Sequence, residues 1–339
     1  MKNFLLFVFL SLMIALISCN NNVLNVDVSS INIPKVIIKR LDKDIFNMDT
    51  TAIPIETKRL QAKYGSFYST FITGIINNGD VRDSSYAVRI KQFINNRDMK
   101  EVYTDCNKKY ADVSDLETQF TDAFKHFIYY FPEKKLPQVI SMISGFNYSI
   151  FPIDTTLAIG LDMYLGSRHD FYKMLGYPRY KSEFMNRENI LPDAISGWLI
   201  NEFPYHTTKN DFLSELIYMG KILYLTDAVL PTVADTLKIR YTQQQIDYCT
   251  ENEFNLWSYF TAQQLLYTTN QTEIMKFTSE GPFTSSLSKE APPRIGYWVG
   301  WQIVKQYMKN NDKTTLIELM NENDAQAFLK KSRYKPKKS

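Results

Sequence analysis

Apolar and aromatic residues recur at steps of three and four along most of the chain, a pattern typical of helices that bury one face. The first such region spans residues 56–131, and Ser114 and Glu117 within it have the spacing of a capping box. Thr242 and the pair Asn210-Asp211 are further candidates for helix starts. The same period predicts later helices over residues 186–203, 209–225, 242–267, 294–309 and 314–331.

Between the two helical regions lie short apolar runs separated by Gly, Asn and Pro, which is typical of strands. An earlier weakly alternating run, residues 35–41, also predicts a strand. The order of elements therefore predicts a helix-dominated α+β fold in which helical lobes surround a small β-sheet. The central strands are expected within residues 137–146, 147–151 and 156–161.

The helix predicted at residues 209–225 has a distinct apolar side and a distinct polar side when placed at 100° per residue. We expect its polar side to face solvent, and an outward-pointing Glu215 to have no interior catalytic role. This side holds Asp211, Ser214, Glu215, Tyr218 and Lys221.

The helix predicted at residues 294–309 has a wider apolar arc, so we expect it to be buried on most of its circumference. Gly296 and Gly300 are four residues apart, which permits close approach of a neighbouring element. Trp298 falls outside the arc beside Gln302, and these two residues are the candidate contact surface. Those outside the arc are Trp298, Gln302, Lys305, Gln306 and Lys309.

The N-terminus has the form of an export signal, because Lys2 precedes an apolar run from Phe4 to Ile17 that is too short for a transmembrane helix. Its end, Leu16-Ile17-Ser18-Cys19, resembles the lipobox of bacterial lipoproteins. That resemblance implies cleavage before Cys19 and a covalent lipid on it, with a thioether-linked diacylglycerol and an amide-linked acyl chain such as palmitate. The alternatives are an uncleaved anchor and an ordinary signal peptide.

The residues after Cys19 bear on localisation. Some lipoproteins of gliding bacteria have an acidic or Lys-rich signal there that directs them to the cell surface, and Asn20-Asn21-Asn22 does not resemble it. This favours an outer-membrane lipoprotein that faces the periplasm. The predicted organisation is a signal peptide at 1–18, the lipidated Cys and a tether at 19–34, one α+β domain at 35–331 and a basic tail at 332–339.

The formal charge of +3 is not a property of the body of the protein. The first 18 residues contain one charge, Lys2, and the last ten contain six cations and no acid, so residues 19–329 have a net charge of −4. We therefore expect no nucleic-acid partner. The basic tail is interpreted as a solvated terminus, with contact to anionic lipid head groups as the alternative.

Neither the composition nor the motifs of the sequence indicate a catalytic or metal site. The 22 Phe, 22 Tyr and 4 Trp residues predict a large core and exclude a disordered chain. None of the three histidines has the spacing of a helical zinc pair, since Pro204 interrupts Glu202 and His206. Cys106 and Cys249 lie in helical patterns and are expected to be unpaired thiols, with a disulfide as the alternative. We predict no catalytic residues, no metal ligands and no cofactor besides the lipid.

Four further stretches are distinctive: GFNYSIFPIDTTLAIGLDMYLG at 145–166, FLSELIYMGKILYLTDAVLP at 212–231, YTQQQIDYCTENEFNLWSYF at 241–260 and PPRIGYWVGWQIVKQYM at 292–308. They resemble the GldB-type gliding-motility lipoproteins of gliding bacteria and their non-gliding relatives, and the lipobox at Cys19 agrees with this. The resemblance implies an envelope lipoprotein connected with gliding motility and its secretion apparatus, and it transfers no catalytic residue.

A fainter similarity is to zinc-peptidase-like folds, in which one helix provides a metal-binding pair and a second helix provides an acidic third ligand. Residues 189–203 would take the place of the first helix and contain no His. Met219 stands where the acid is expected, beside Gly220-Lys221. The similarity therefore implies a zincin-like shape without the metal site.

Three functions are weighed from these observations. The first is a non-catalytic envelope lipoprotein that serves as an accessory or scaffold in gliding motility, the associated secretion or envelope maintenance. Its expected partners are the membrane, through the lipid, and envelope motility or secretion proteins. The second is a periplasmic glycan- or peptide-binding module that uses Trp298 and other aromatic residues. The third is a hydrolase whose site is not recognisable from the sequence.

Overall fold

A computed structural model describes residues 24–206 and 209–338. Its four-stranded sheet has the order β1-β2-β4-β3, with β1, β2 and β4 parallel and β3 antiparallel to β4. The chain leaves β2 for the outer edge of the sheet and returns through a two-residue turn at Asp154-Thr155, so that β4 lies between β2 and β3. The strands are β1 (Lys39–Arg40), β2 (Gln138–Met142), β3 (Ile150–Ile153) and β4 (Thr156–Gly160).

Helices make up most of the described chain, which confirms the prediction of a helix-dominated α+β fold. The helices before β2 are α1 (Leu41–Phe46), α2 (Ile53–Tyr64), α3 (Ser66–Thr70, continued by a π-helical turn at Phe71–Ile75), α4 (Tyr86–Asn95), α5 (Arg97–Lys109) and α6 (Ser114–Tyr130).

The helices after β4 form the larger lobe, together with 3₁₀ turns at Leu161–Tyr164, Arg187–Asn189 and Leu265–Tyr267. They are α7 (Asp170–Met174), α8 (Arg179–Ser182), α9 (Ile190–Glu202), α10 (Phe212–Val229), α11 (Asp235–Ile239), α12 (Gln243–Glu251), α13 (Glu253–Ala262), α14 (Gln271–Thr278), α15 (Ile295–Asn310), α16 (Leu316–Asn321) and α17 (Ala325–Ser332).

The sheet separates two hydrophobic cores. Successive side chains of a strand point to opposite faces, so Ile140 and Ala158 contact the core built by α1 to α4, while Val139 and Leu157 contact the larger core. Helical lobes therefore lie on both faces of the sheet, as the sequence pattern predicted.

The prediction of a strand at residues 35–41 is mostly wrong. Side chains of α6 take the place of a partner strand, because the backbone N–H groups of Val36 and Ile38 donate to Thr121 Oγ1 and Glu117 Oε1, each at 3.0 Å. Only Lys39 and Arg40 pair with β2, and α1 follows at once.

The predicted capping box at Ser114 and Glu117 is also wrong, since Glu117 bonds Ile38 and the N–H of Ser114 donates to Asp112. The predicted cap at Thr242 is confirmed, because Thr242 and Gln245 form a reciprocal capping box on α12. The long helix predicted from Thr242 divides into α12 and α13, and the one predicted at 314–331 divides into α16 and α17.

Helices α10 and α15 cross at unusually short range in the larger core. A Cβ on Gly220 would lie 2.3 Å from the carbonyl oxygen of Gly300, and a Cβ on Gly300 would lie 1.9 Å from that of Leu216. Gly296 lies against the Leu216 side chain. The expectation that Gly296 and Gly300 allow close packing is confirmed.

Both ends of the described chain lie against the body. In residues 24–34, which were predicted to be a tether, Val28 is buried and Tyr130 donates to the carbonyl oxygen of Leu24 at 3.1 Å. At the other end, Ser332 belongs to α17, and Tyr334 packs edge-on against Trp257. Among the described residues, no helix is both long enough and apolar enough to span a membrane.

Candidate binding cavity

The residue predicted to be an exposed contact, Trp298, is buried with 4% of its surface accessible, so the prediction of its exposure is wrong. The reason is that α15 packs against α10, α13, α14 and α17, which enclose more of it than the apolar arc indicated. Gln302 is half-buried. Cys19, the predicted lipidation site, lies outside the described residues.

The polar side of α10 is not a solvent-facing side, which corrects a second prediction. Asp211, Ser214 and Lys221 are all buried, because α6, α9, α15, α16 and α17 pack around the helix. Asp211 caps the helix, accepting from the N–H of Ser214 at 2.9 Å and from its hydroxyl at 2.6 Å. Glu215 is half-buried and accepts a hydrogen bond from Tyr297.

The two remaining cysteines are unpaired and buried, as predicted. Burial raises the pKa of both thiols, to well above the usual value for Cys106, where Asp162 and Asp42 add to the effect. A thiol held in its neutral form is a poor nucleophile. Cys106 and Cys249 are therefore core residues.

The three histidines do not form a common site. His126 is buried and its Nδ1 lies 3.0 Å from the carbonyl oxygen of Asp122, one turn earlier on α6. His169 contacts Asp105 at 3.2 Å. His206 is exposed. Among the described residues, no three or more His, Cys, Asp or Glu side chains are arranged to hold a metal ion.

Helix α9 takes the place of the metal-binding helix in the comparison with zinc-peptidase-like folds, but its side chains do not form a set of zinc ligands. Its two ionisable residues are nine positions apart and have other partners. Asp193 accepts from Tyr164 and Arg240, while Glu202 pairs with Lys134. No step of a reaction is therefore assigned to a metal on this helix.

Polar side chains also gather after the carboxyl ends of the parallel strands, where many α/β proteins bind ligands. Asp42, beside β1, accepts from Arg40 and from Ser141. Asp162, after β4, accepts from the N–H groups and hydroxyl of the loop after β2, at Ser144 and Phe146.

Both carboxylates of this strand-end cluster are buried and accept hydrogen bonds from its other members. Burial raises the pKa of Asp162 to about 6, against the lowering effect of its hydrogen bonds. The cluster therefore fixes the loop between β2 and β3 and leaves neither carboxylate open to a ligand.

A cavity of about 550 Å³ lies elsewhere, at the end of the bundle formed by α6, α9, α10, α16 and α17. This size is in the range of small-molecule sites, roughly 300–1,000 Å³. We call it the Lys221 cavity. Its walls are largely apolar and aromatic, from Phe131, Phe203, Tyr205, Ile217, Tyr218, Ile317 and Met320.

Lys221 lines this cavity although only 5% of its surface is accessible. Its Nζ donates to the carbonyl oxygen of Glu322 and lies 5.2 Å from the ring centre of Phe328. Burial lowers the pKa of Lys221 to about 8. Within the described chain, no carboxylate forms an ion pair with this ammonium group.

Two carboxylates of the cavity wall are already paired. Glu202 accepts from Lys134 at 3.1 Å, and the Glu322 carboxylate pairs with Lys331 at 2.6 Å. Glu133 is exposed at the rim. Lys221 is therefore the charge in the cavity wall that a ligand could neutralise.

Ser214 and Lys221 do not form a nucleophile–base pair. Ser214 is in the cavity wall, but its hydroxyl donates to Asp211. Lys221 is seven residues further along α10, which is roughly 10 Å along the helix axis and beyond hydrogen-bond reach. The lysine therefore does not activate the serine as a nucleophile.

Sequence reasoning placed Lys221 on a solvated face, so it missed this site. A helical wheel assigns the buried and exposed sides of a helix from the sequence of that helix alone. It cannot show that a distant loop covers the helix, as the loop around Glu322, 101 residues later, covers Lys221. A signal was present in the high hydrophobicity of α10, where Lys221 interrupts an almost continuous apolar run.

These features define a helix-dominated α+β protein with a buried-lysine cavity in its larger lobe and, among the described residues, no group of His, Cys, Asp or Glu side chains arranged to hold a metal ion. The model of one family, gliding motility protein GldB, matches residues 21–336, nearly the whole chain. The chain belongs to this family, which connects it with gliding motility and with the cell envelope. No curated protein and no solved structure gives a significant match.

Proposed function

We propose that the protein is a non-catalytic accessory or scaffold of the gliding-motility apparatus and of the secretion or envelope-maintenance machinery associated with it. Membership of the GldB family over residues 21–336 is the observation that supports this most strongly. The lipobox ending at Cys19 adds an anchor in the outer membrane, with the body in the periplasm. The expected partners are envelope motility and secretion proteins.

The packing of the N-terminal segment supports a body held close to the membrane. Leu24 is bound by Tyr130 on α6, and only five positions separate it from Cys19. A fully extended chain spans at most about 3.6 Å per residue, so a lipid on Cys19 keeps Leu24 within roughly 18 Å of the bilayer surface. Such a short connection favours contact with partners in or near the same membrane.

The non-catalytic character is supported by the partners of the ionisable groups. Asp162, Asp193 and Glu202 are each bonded within the fold, and Ser214 donates to a capping carboxylate. Glycan or peptide binding through an exposed Trp298 is not retained, because Trp298 is buried.

The anchor is tested with Cys19→Ala in cells of the source bacterium, followed by flotation of the membranes on a density gradient. The wild-type chain is expected to float with the outer membrane, and the Cys19→Ala chain to be lost from it. Cys249→Ala, which removes a buried thiol, is the matched control and should float. Flotation of Cys19→Ala equal to that of the wild type would reject the anchor.

The non-catalytic role is tested separately on the purified chain. It should release no product from a panel of peptides and peptidoglycan fragments, with or without added zinc. Stoichiometric zinc binding together with peptide hydrolysis would reject the proposal in favour of a hydrolase.

A further inference from the structure

The Lys221 cavity combines an apolar interior with a cation that has spare hydrogen-bonding capacity. A lysine ammonium group has three donors, and the fold engages Nζ through one hydrogen bond, to the Glu322 carbonyl oxygen. A buried charge is costly unless it is paired. The wall therefore presents a charge whose pairing by a ligand would be favourable.

The side chains around Lys221 determine which net charge on the ligand is favourable. Glu202 and Glu322 lie in the same wall, each neutralised by one lysine, and they disfavour a dianion such as a phosphate monoester. No arginine lines the cavity in the described chain, so the planar fork that suits phosphate is missing. A single ammonium group fits a monoanion.

The apolar walls of the cavity favour a ligand whose remaining part is apolar. Phe131, Phe203 and Ile217 offer apolar surface, and the rings of Tyr205 and Tyr218 lie 4.8 Å apart at one side. Removing the apolar surface of a ligand from water against these walls is favourable. A flexible apolar chain or an aromatic side chain would occupy this volume.

We propose that the Lys221 cavity binds an amphipathic monocarboxylate, whose carboxylate accepts a hydrogen bond from Lys221 Nζ and whose apolar part lies against the aromatic walls. A fatty acid and the free C-terminus of an apolar peptide share this chemistry. This binding activity is additional to the scaffold role and does not depend on it.

The proposal is tested by titration calorimetry on the full chain, isolated from the envelope and reconstituted in phosphatidylcholine nanodiscs, with empty nanodiscs subtracted. One arm compares decanoate with decan-1-ol. The other compares acetyl-Ala-Ala-Phe with its C-terminal amide. In at least one arm the acid should bind about 10- to 100-fold more tightly than its neutral counterpart, as expected for a charge-assisted hydrogen bond. The arm that shows this identifies the source of the carboxylate.

Two variants distinguish the charge of Lys221 from that of a lysine elsewhere on the protein. Lys221→Met retains the length of the side chain, and should remove the preference for the acid. Lys309→Met removes an exposed lysine of α15 that does not line the cavity, and should change the affinity less than about threefold. Circular dichroism confirms that each variant is folded.

The pH dependence of binding gives a test on the unmodified chain. Because the ammonium form of Lys221 is required, affinity for the acid should be constant near pH 7 and fall as pH rises above about 8. Burial raises the pKa of Tyr218 to about 12, so this phenol stays neutral across that range. The other charged or titratable side chains that line the cavity are Glu133, Glu202, Glu322, Tyr205, His206 and Lys134. Lys134 is half-buried and is paired with Glu202.

Three results would overturn the proposal. One is equal affinity for acid and neutral ligand in both arms. Another is unchanged preference in Lys221→Met, and the third is affinity that does not decline above pH 8. None of them affects the test of anchoring at Cys19, so failure here is distinguishable from failure of the scaffold proposal.

Discussion

The crossing of α10 and α15 predicts that one added methyl group at Gly300 destabilises the larger lobe severely. Ordinary van der Waals contact of a Cβ begins near 3.4 Å, and the Cβ of Gly300→Ala would lie 1.9 Å from the Leu216 carbonyl oxygen. The obstacle is backbone on a helix, which cannot rotate away. The two helices would have to separate by roughly 1.5 Å.

Such a separation weakens contacts along the whole interface between α10 and α15. Overpacking of a core costs typically 1–3 kcal/mol where side chains can adjust, and here the backbone itself must move. We expect Gly300→Ala to lower the free energy of unfolding by about 4 kcal/mol or more. The better helix propensity of Ala returns only about 1 kcal/mol. The thermal midpoint should fall by roughly 6 °C or more.

The matched control is Gly74→Ala, because Gly74 also lies in a helical segment, is exposed, and has no atom within 4 Å of its added Cβ. There the same substitution should stabilise by up to about 1 kcal/mol. Urea and thermal unfolding followed by circular dichroism measure both. A Gly300→Ala chain as stable as Gly74→Ala would refute the close crossing.

Three further predictions concern buried ionisable groups. Lys221→Met should raise the free energy of unfolding near pH 7 by about 2–3 kcal/mol, because the lowered pKa shows that the charged lysine is unfavourable in the fold. The difference from the wild type should shrink between pH 8 and 10 as Lys221 deprotonates. Unfolding measured at several pH values checks this. Asp162→Ala should destabilise by about 3 kcal/mol because the N–H groups of Ser144 and Phe146 lose their acceptor, and a change below 1 kcal/mol in urea unfolding would contradict that role. Cys106 and Cys249 should resist iodoacetamide in the native chain and react in urea, as mass spectrometry would show.

The helices and the sheet were predictable because their signals are local. Periodicity located α10 and α15, and the four-residue spacing of Gly296 and Gly300 predicted their close packing. The short apolar runs separated by turn residues located β2 and β4. These properties depend on neighbours within one or two turns of the chain.

The errors arose where a distant residue decides the environment. Glu117 on α6 satisfies the backbone of Ile38, so most of the predicted first strand is absent. Trp298 and Lys221 are enclosed by helices that contact α15 and α10 from several directions. A helical wheel assumes one buried side, and it misplaces polar or aromatic residues on a helix that is surrounded.

The candidate cavity was the least predictable feature for the same reason. Its wall combines segments from residues 131–134, 202–206, 214–221 and 317–325, which no sequence motif connects. Lys221 is distinguished as a buried cation that has no carboxylate partner in the described part of the chain, and this property exists only once these segments meet.

The central claim, a membrane-anchored accessory within the motility apparatus, is tested most directly by chemical cross-linking in intact cells followed by mass spectrometry. We predict cross-links from the wild-type chain to envelope proteins of the motility or secretion machinery, and their loss in Cys19→Ala. Cross-links that persist unchanged in Cys19→Ala, or that join the wild-type chain to no such protein, would contradict the account.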